Sequence, residues 1–273
     1  MISVLRRAPA YVVLVVAAVL GVVPFAWMLI ASTHRTADLF GTPLPVLPGG
    51  ELAANLVRLA DEVGFVRVMA NSVGIAAVYT LLSVAISVMC GFGLAKYRFR
   101  GRGALLGLVL VTMMVPMQVL LVPLFQMMAS VGWIGSYQAV ILPFLASAFG
   151  IFLMRQSYLG FPDELLEAAR LDGAGELRMF WRVVVPVSRP QIGALVIYTF
   201  MTQWNAFIWP LLMLNREDTY TLPVALNTMI GATRVDYSGL MLGSLLATLP
   251  VLVVFLLVQR QFVAGLLGGA VKG

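Results

Sequence analysis

The residues best suited to binding chemistry form a short pattern of acidic and small side chains near the middle of the chain. Glu167 is followed by Ala168 and Ala169, and Asp172 precedes Gly173. The alanines would let another surface approach closely, and the carboxylate could accept a charge-assisted hydrogen bond from a basic partner residue. A solvated amphipathic helix on the membrane surface is the plainer interpretation. The mixture of acidic residues and arginines around the pattern favours protein docking, because a lipid-binding patch would be basic only.

The same segment predicts two short helices separated by a glycine. The first should cover about 162–172, because its proline suits the first helical position, and it should stop at Gly173. The second should begin near Gly175 or Glu176 and end before Pro186, whose ring and missing N–H oppose continuation.

A second group of polar and aromatic side chains falls within residues 191–213. At 100° per residue, one arc of this predicted helix can form hydrogen bonds and the opposite arc is apolar. The residues that could use the polar arc are Tyr198, Thr202, Gln203, Asn205 and Trp209. Such groups turn away from lipid, so they would either line a solute path or bond to a neighbouring helix. Tyr198 and Trp209 tilt the choice slightly towards solute, since aromatic side chains offer broad faces to a bound molecule.

The sequence offers no constellation for catalysis or for a resident cofactor. It lacks a glycine-rich phosphate loop ending in Lys-Ser or Lys-Thr, a Gly-x-Ser-x-Gly turn and a His-Glu-x-x-His pattern. The single histidine, His34, cannot build a metal site alone, and the single cysteine, Cys90, cannot form an internal disulfide. We therefore expect a chain that is not an enzyme and binds no cofactor or metal itself.

The elements that must position these residues are membrane helices. Hydrophobic residues make up 61% of the 273 residues and charged residues only 11%, which a water-facing surface could not cover. The charges leave five charge-free runs, at 8–34, 68–95, 103–154, 190–215 and 237–259. The longest run contains a turn at 132–136, and a span needs about 20 apolar residues. We therefore predict an all-α integral membrane protein with six spans, near 10–31, 68–94, 104–128, 136–154, 191–213 and 238–259.

The basic residues predict the orientation of the spans. If the N-terminus lies inside, 13 of the 18 lysines and arginines fall on the inner side and five on the outer side. Both termini are therefore expected to be cytoplasmic. These residues border hydrophobic spans and need only anionic membrane lipid, so no nucleic-acid partner is expected.

Residues 32–67 are longer than a turn between two spans requires. Its first part carries Pro43, Pro45, Pro48 and the pair Gly49-Gly50. Leu52, Leu56, Leu59 and Val63 then recur at helical spacing. We predict an outer loop with a short amphipathic helix.

The pattern around Glu167 resembles the EAA loop of ABC importer permeases. That loop continues from Glu-Ala-Ala through a glycine to Ile-x-Leu-Pro, and here Val183 and Val185 replace Ile and Leu before Pro186. Its position between the fourth and fifth predicted spans is also similar. Likeness to the maltose-type sugar permeases covers nearly the whole chain and includes Asn71-Ser72, Trp204-Asn205-x-Phe207 and Gln259-Arg260-x-Phe262-x-x-Gly265.

The resemblance implies the permease subunit of an ATP-driven, binding-protein-dependent sugar importer, forming half of the translocation pathway. The residues implied in coupling to an ATPase are Glu167, Ala168, Ala169, Asp172, Gly173, Phe180 and Pro186. The implied partners are a second homologous permease, two ATP-binding subunits that hold ATP and Mg, an extracytoplasmic solute-binding protein and a sugar-like solute. The implied location is the bacterial cytoplasmic (inner) membrane, crossed several times. Residues 1–66 would form the first span and outer loop, 67–260 the permease domain and 261–273 a cytoplasmic tail.

Three alternatives stay open. An ABC permease for amino acids, peptides or anions is opposed only by the likeness in the fifth span and the tail. A secondary transporter is disfavoured because the predicted spans lack ionisable acids and bases. A membrane enzyme is disfavoured because His34 lies outside the spans and paired intramembrane acids are missing.

Overall fold

The computed structural model describes the backbone of residues 2–230 and 235–270, and the side chains of 9–230 and 235–259. The regular elements in these ranges are helices, apart from an isolated antiparallel bridge between Ile230 and Val235. The predicted all-α fold is confirmed. Several basic residues behind the orientation prediction lie outside the described backbone or side chains, namely Arg6, Arg7, Arg234, Arg260 and Lys272.

The α-helices are numbered in chain order. They are α1 Ile2–Ala31, α2 Leu52–Val63, α3 Phe65–Lys96, α4 Arg102–Met114, α5 Met117–Ser130, α6 Tyr137–Ile141, α7 Ala148–Leu159, α8 Asp163–Leu171, α9 Glu176–Met179, α10 Val185–Val187, α11 Arg189–Trp204, α12 Ile208–Met213, α13 Leu222–Thr228 and α14 Tyr237–Ala270. Short 3-10 turns cover Thr36–Phe40, Leu142–Phe144 and Glu217–Thr219. A π-helical turn covers Phe180–Val184.

Within the described residues, four helical segments are long and apolar enough to cross a membrane, and six spans result if each of two bent helix pairs counts as one. The four are Pro9–Ala31, Phe65–Lys96, Tyr137–Leu159 and Tyr237–Gln259. The bent pairs are Arg102–Met114 with Met117–Ser130, at 102°, and Glu176–Val187 with Arg189–Trp204, at 80°. The number of predicted spans agrees with the upper value. The last helix extends further than predicted, to Ala270.

The span predicted near 104–128 is divided into two helices. The chain leaves the helical conformation at Val115, whose φ and ψ are −84° and 117°, and resumes it after Pro116. A proline disfavours helical geometry in the residue before it, because its ring crowds that residue's backbone. The glycines at 132 and 135 adopt positive φ values of 69° and 83°, and the turn predicted there is confirmed.

The continuous helix predicted over 191–213 is also wrong. Helix α11 ends at Trp204, Asn205 has φ −87° and ψ 1°, and α12 starts only at Ile208. Pro210 explains the break, because a proline inside the helix would clash with the carbonyl group four residues earlier and leave it unpaired. The Asn205 amide caps the end of α11 by donating to the Met201 carbonyl oxygen at 2.9 Å.

One compact unit comprises residues 1–69 and 222–249. In it, the buried side of α2 carries Leu59 and Asn55, and the Asn55 amide donates to the carbonyl oxygens of Ser32 and His34 at 2.8 and 2.9 Å. Leu52 and Leu56 are exposed, contrary to the predicted apolar face. The side of α2 that carries Asn55 is buried instead, because the Asn55 amide can hydrogen-bond to the carbonyl oxygens of the preceding turn and a leucine side chain could not.

The start of α14 is held within the same unit by Asp236. Its Oδ1 atom accepts hydrogen bonds from the Thr36 hydroxyl at 2.7 Å and from the Gly239 N–H at 3.2 Å. Arg58 Nη1 lies 3.7 Å from Oδ2 of the same carboxylate. Asp236 therefore caps α14 and joins it to the 3-10 turn Thr36–Phe40.

The second compact unit comprises residues 70–221 and 250–273. Its larger hydrophobic cluster surrounds the fully buried side chains of Met154, Tyr158 and Leu195. Helices α3 and α7 approach closely there, since a Cβ atom at Gly91 would lie 2.6 Å from Met154 Cβ. This close contact places the C-terminal end of α3 beside the segment that follows α7.

Candidate functional site

Helices α8 and α9 form a hairpin, Asp163–Met179, with the predicted glycine at its turn. Gly173 has φ +76°, and the N–H groups of Gly173 and Ala174 donate to the carbonyls of Arg170 and Ala169, both at 3.0 Å. This pair of bonds is the Schellman ending of a helix, which requires a left-handed residue after the last turn. The first predicted helix and its glycine stop are confirmed.

The two sides of α8 differ sharply in exposure. Leu166 and Ala169 are buried, at 3% and 8% exposed, whereas Glu167 and Ala168 face outwards. Leu171 is 90% exposed. The predicted coupling residues thus divide into two sets. Glu167, Ala168, Asp172 and Gly173 are exposed to solvent, and the others are buried or half-buried and anchor the hairpin.

Phe180 is the aromatic anchor of this segment. Its ring lies 5.4 Å from that of Phe92 on α3, which in turn lies 5.5 Å from Tyr158 on α7. Phe180 is 6% exposed. Offset and edge contacts of this kind add to the free energy of burial, so the hairpin is fixed to the two membrane helices.

The end predicted for the second helix, before Pro186, is wrong. The helical path continues through a π-helical turn to Val187, and the Val185 N–H donates to the Phe180 carbonyl five residues earlier. In the wider turn, Pro186 occupies the start of a new helical segment, where its missing N–H costs little. Pro186 is half-buried rather than part of the outer surface.

Two residues at the C-terminal end of α3 contact the hairpin, and neither was predicted from the sequence to have this role. Lys96 Nζ donates to Asp163 Oδ1 and to the Phe161 carbonyl oxygen, both at 2.6 Å, and its side chain is 10% exposed. The Tyr97 hydroxyl donates to the Glu176 carboxylate. Arg170 Nε donates to the other oxygen of Glu176 at 3.1 Å.

The sequence signal for these contacts is the pair of oppositely charged segments, the cations of 96–102 and the acids of 163–176. The cations alone indicate only the orientation of the span. Burial first, and then the bond donated to Glu176, raise the pKa of Tyr97 to about 12. The hydroxyl therefore remains a donor at neutral pH.

The polar residues predicted on the fifth span lie on or directly after α11. Tyr198 is 44% exposed and its ring centroid lies 4.4 Å from that of Phe149. Thr202 and Asn205 are exposed, but each donates a bond to the preceding turn, to the carbonyls of Tyr198 and Met201. Gln203 is half-buried. Among Tyr198, Thr202, Gln203 and Asn205, Tyr198 is therefore the large side chain that remains accessible.

Trp209 does not share a face with Tyr198, because the helix between them is broken. It is 6% exposed, and its indole Nε1 donates to the Ala139 carbonyl oxygen at 2.9 Å. Phe144 packs edge-on against it at 5.5 Å. The angular position assigned to Trp209 from a continuous helix is wrong.

A cleft of about 480 Å³ lies elsewhere in the second unit, between α3 and the start of α6. Its lining includes Val78, Leu82, Ser136, Tyr137, Ile141 and Thr219. The sequence carries no signal for this cleft. The polar residues that line it come from turns, and the apolar ones come from helices that share no periodic sequence pattern.

The comparison with known protein families decides the class of the chain. Residues 83–267 match the family model described as a binding-protein-dependent transport system inner membrane component. The match includes the hairpin, the π-helical turn and α11, and it spans more than half of the chain. The chain belongs to this family. Its membership supports a multi-pass protein of the inner membrane that acts in transport rather than as an enzyme.

Several characterised permease proteins match this chain over most of its length. It is 38% identical over 266 residues to the lactose transport system permease protein LacG of Rhizobium radiobacter, covering 96% of this chain and 97% of the relative. It is 41% identical over 203 residues to the arabinooligosaccharides transport system permease protein AraQ of Bacillus subtilis, covering 74% and 72%. It is 31% identical over 264 residues to the sn-glycerol-3-phosphate transport system permease protein UgpE of Yersinia pestis, covering 94% of each.

A solved structure has the same fold. A chain of a bacterial ABC transporter involved in the import of the acidic polysaccharide alginate superposes with a TM-score of 0.80. The identity is 23%, and the superposition covers 94% of this chain and 96% of the other. The membrane permease fold implied by the sequence resemblance is confirmed.

Proposed function

We propose that this chain is the permease subunit of an ATP-driven ABC importer and forms half of the path for a carbohydrate or related polar solute. The observation that carries the proposal is the near full-length similarity to a lactose permease protein, at 38% identity. The arabinooligosaccharide relative has a carbohydrate solute as well, and the glycerol phosphate relative a small polyol phosphate.

The solvent-exposed side of the α8–α9 hairpin is the proposed contact with the ATPase. Glu167 and Asp172 supply exposed carboxylates, and Ala168 permits close approach. Ala169, Phe180 and Pro186 act from the inner side by holding the hairpin in place. Gly173 sets the turn between the two helices through its positive φ.

The proposed solute path uses the accessible side of α11. Tyr198 offers a ring face, and Thr202, Gln203 and Asn205 offer polar atoms one or two turns further along. Trp209 supports this region from inside, since its side chain is buried against Ala139 and Phe144. Hydrogen bonding between helices is the competing role for the polar residues.

The remaining parts of the proposal concern the assembly. A second related permease would complete the path, two ATP-binding subunits would hold ATP and Mg, and an external binding protein would deliver the solute. Both termini would lie in the cytoplasm of a bacterium. Residues 1–66, 67–260 and 261–273 would serve as the first span with its outer loop, the permease domain and the tail.

The test is an ATPase assay on the purified complex in proteoliposomes. Binding protein is loaded in turn with lactose, an arabino-oligosaccharide, glycerol 3-phosphate, an alginate oligosaccharide or an amino acid. We expect ATP hydrolysis to rise with one of the carbohydrates. Stimulation by the amino acid alone would favour the permease for another solute class, and uptake driven by a proton gradient without ATP would favour a secondary transporter.

A further inference from the structure

The inner end of α3 contacts the α8–α9 hairpin at two separate points. Lys96 reaches the start of α8, and Tyr97 reaches the start of α9. In the sequence, the two contacted residues, Asp163 and Glu176, lie on either side of the exposed Glu167. Because both come from consecutive residues of one helix end, the hairpin cannot tilt about either contact without breaking the other.

The Lys96 contact is built for a cation. The ammonium group donates to Asp163 Oδ1 and to the Phe161 carbonyl oxygen at 2.6 Å, and it lies 5.9 Å from the centre of the Phe161 ring. It occupies the last turn of α3, where the helix dipole favours positive charge. The Lys96 side chain is 10% exposed but that of Asp163 is 71% exposed, so the bond to the Phe161 carbonyl oxygen is the better sheltered half of this contact.

The Tyr97 contact joins three elements through one carboxylate. Glu176 accepts from Tyr97 after α3, and it accepts from Arg170 near the end of α8. The Tyr97 ring packs edge-on against Phe92, with the centroids 5.6 Å apart. The hydroxyl is therefore held in place by aromatic packing below it.

We infer that Lys96 and Tyr97 are positioning residues that make α3 and the hairpin move as one body when the ATPases close. This inference rests on the proposed coupling role of the hairpin. The hairpin is continuous in sequence with α11, but the 80° bend at Ser188 separates α10 from α11. The contacts with Lys96 and Tyr97 give the movement a second route, into the uninterrupted helix α3.

The experiment measures a distance inside the assembled complex. Spin labels are placed on the native Cys90 of α3, which is exposed, and on Arg178→Cys of α9, with cysteine-free partner subunits. Electron–electron resonance is recorded without nucleotide and after trapping with ADP and vanadate. We expect one narrow distance in the otherwise unmodified protein, the same in both states.

Two variants separate the bond from general packing. Tyr97→Phe keeps the ring on Phe92 but removes the donor, and Lys96→Met keeps the length of the side chain without its charge. Each should raise the population with a displaced hairpin about two- to tenfold, the usual effect of one hydrogen bond on an equilibrium. Glu176→Gln keeps one oxygen for Arg170 and an amide N–H that the Tyr97 hydroxyl can accept, so it should stay close to the unmodified protein, whereas Glu176→Leu should resemble Tyr97→Phe. Glu164→Gln, an exposed acid in the first turn of α8, is the matched control.

The outcomes distinguish this inference from the proposed function. Unchanged distances in Tyr97→Phe, Lys96→Met and Glu176→Leu would overturn the inference, as would an equal displacement in the unmodified protein. ATP hydrolysis is measured in the same samples. Its absence would contradict the proposed function, while the nucleotide-free distances would still decide whether the two contacts hold the hairpin.

Discussion

The indole N–H of Trp209 donates a 2.9 Å hydrogen bond to the carbonyl oxygen of Ala139, so α12 is tied directly to α6. Trp209→Phe should leave that buried carbonyl unpaired and lower the stability of the complex by about 1 kcal/mol. Trp209→Ala should cost about 3–5 kcal/mol, because it also leaves a cavity. Thermal unfolding of the purified complex measures both, with the more exposed Trp27→Phe as control. A loss of transport at unchanged stability would instead place Trp209 on the solute path.

Tyr198 should affect transport more than a neighbour of similar exposure. Tyr198→Ala removes a ring that could stack on a sugar, and we expect uptake to fall about two- to tenfold. Met201→Ala is the control, since its side chain on the same helix is 41% exposed against 44% for Tyr198. Equal uptake in both variants, with lower thermal stability only for Tyr198→Ala, would assign the tyrosine to contacts between helices.

Gly173 should respond to backbone preference rather than to side-chain size. A Cβ atom there would meet nothing within 4 Å, but φ is +76°. Gly173→Ala should cost about 1–2 kcal/mol in hairpin stability, Gly173→Val more and Gly173→Asn less, because asparagine tolerates this conformation. Co-purification of the ATPase should fall in the same order. A uniform effect of all three would indicate a steric contact with the partner.

Glu167→Ala tests the outer face of the same hairpin without disturbing its fold. A charge-assisted contact with the ATPase is typically worth about 1.5–3 kcal/mol, so binding should weaken markedly. Arg178→Ala, an exposed change on α9, serves as the control. Retention of full transport and of the bound ATPase in Glu167→Ala would contradict the assigned docking face.

The predicted orientation can be tested by labelling cysteines in a Cys90→Ser background. Gly50 is suitable for the outer loop because a Cβ atom there meets nothing within 4 Å, whereas at Gly49 it would lie 2.5 Å from the Thr33 carbonyl oxygen. An impermeant maleimide should label Gly50→Cys in intact spheroplasts and Arg100→Cys only after permeabilisation. Labelling of both in intact spheroplasts would contradict the six-span orientation.

The sequence predicted the features that depend on local chemistry. Gly173 ends α8 because a left-handed residue is needed at that point, and the run of charge-free residues marks the spans. The sequence-based prediction failed where two local rules compete. At Val115 the apolar composition favoured one helix, but the following proline breaks it. The contacts of Lys96 and Tyr97 were missed because they join residues some 65–80 positions apart. Neither periodicity nor spacing records such pairs.

The π-helical turn at Phe180–Val184 fixes the rotational phase between the docking face and the membrane helix that follows it. A helix advances by about 100° per residue, so the insertion or deletion of one residue here would re-aim the face that carries Glu167 by roughly a quarter of a circle. Substitutions within the turn change packing, but they leave this phase intact. Chains that share an ATPase are therefore constrained in the length of this segment more strictly than in its composition.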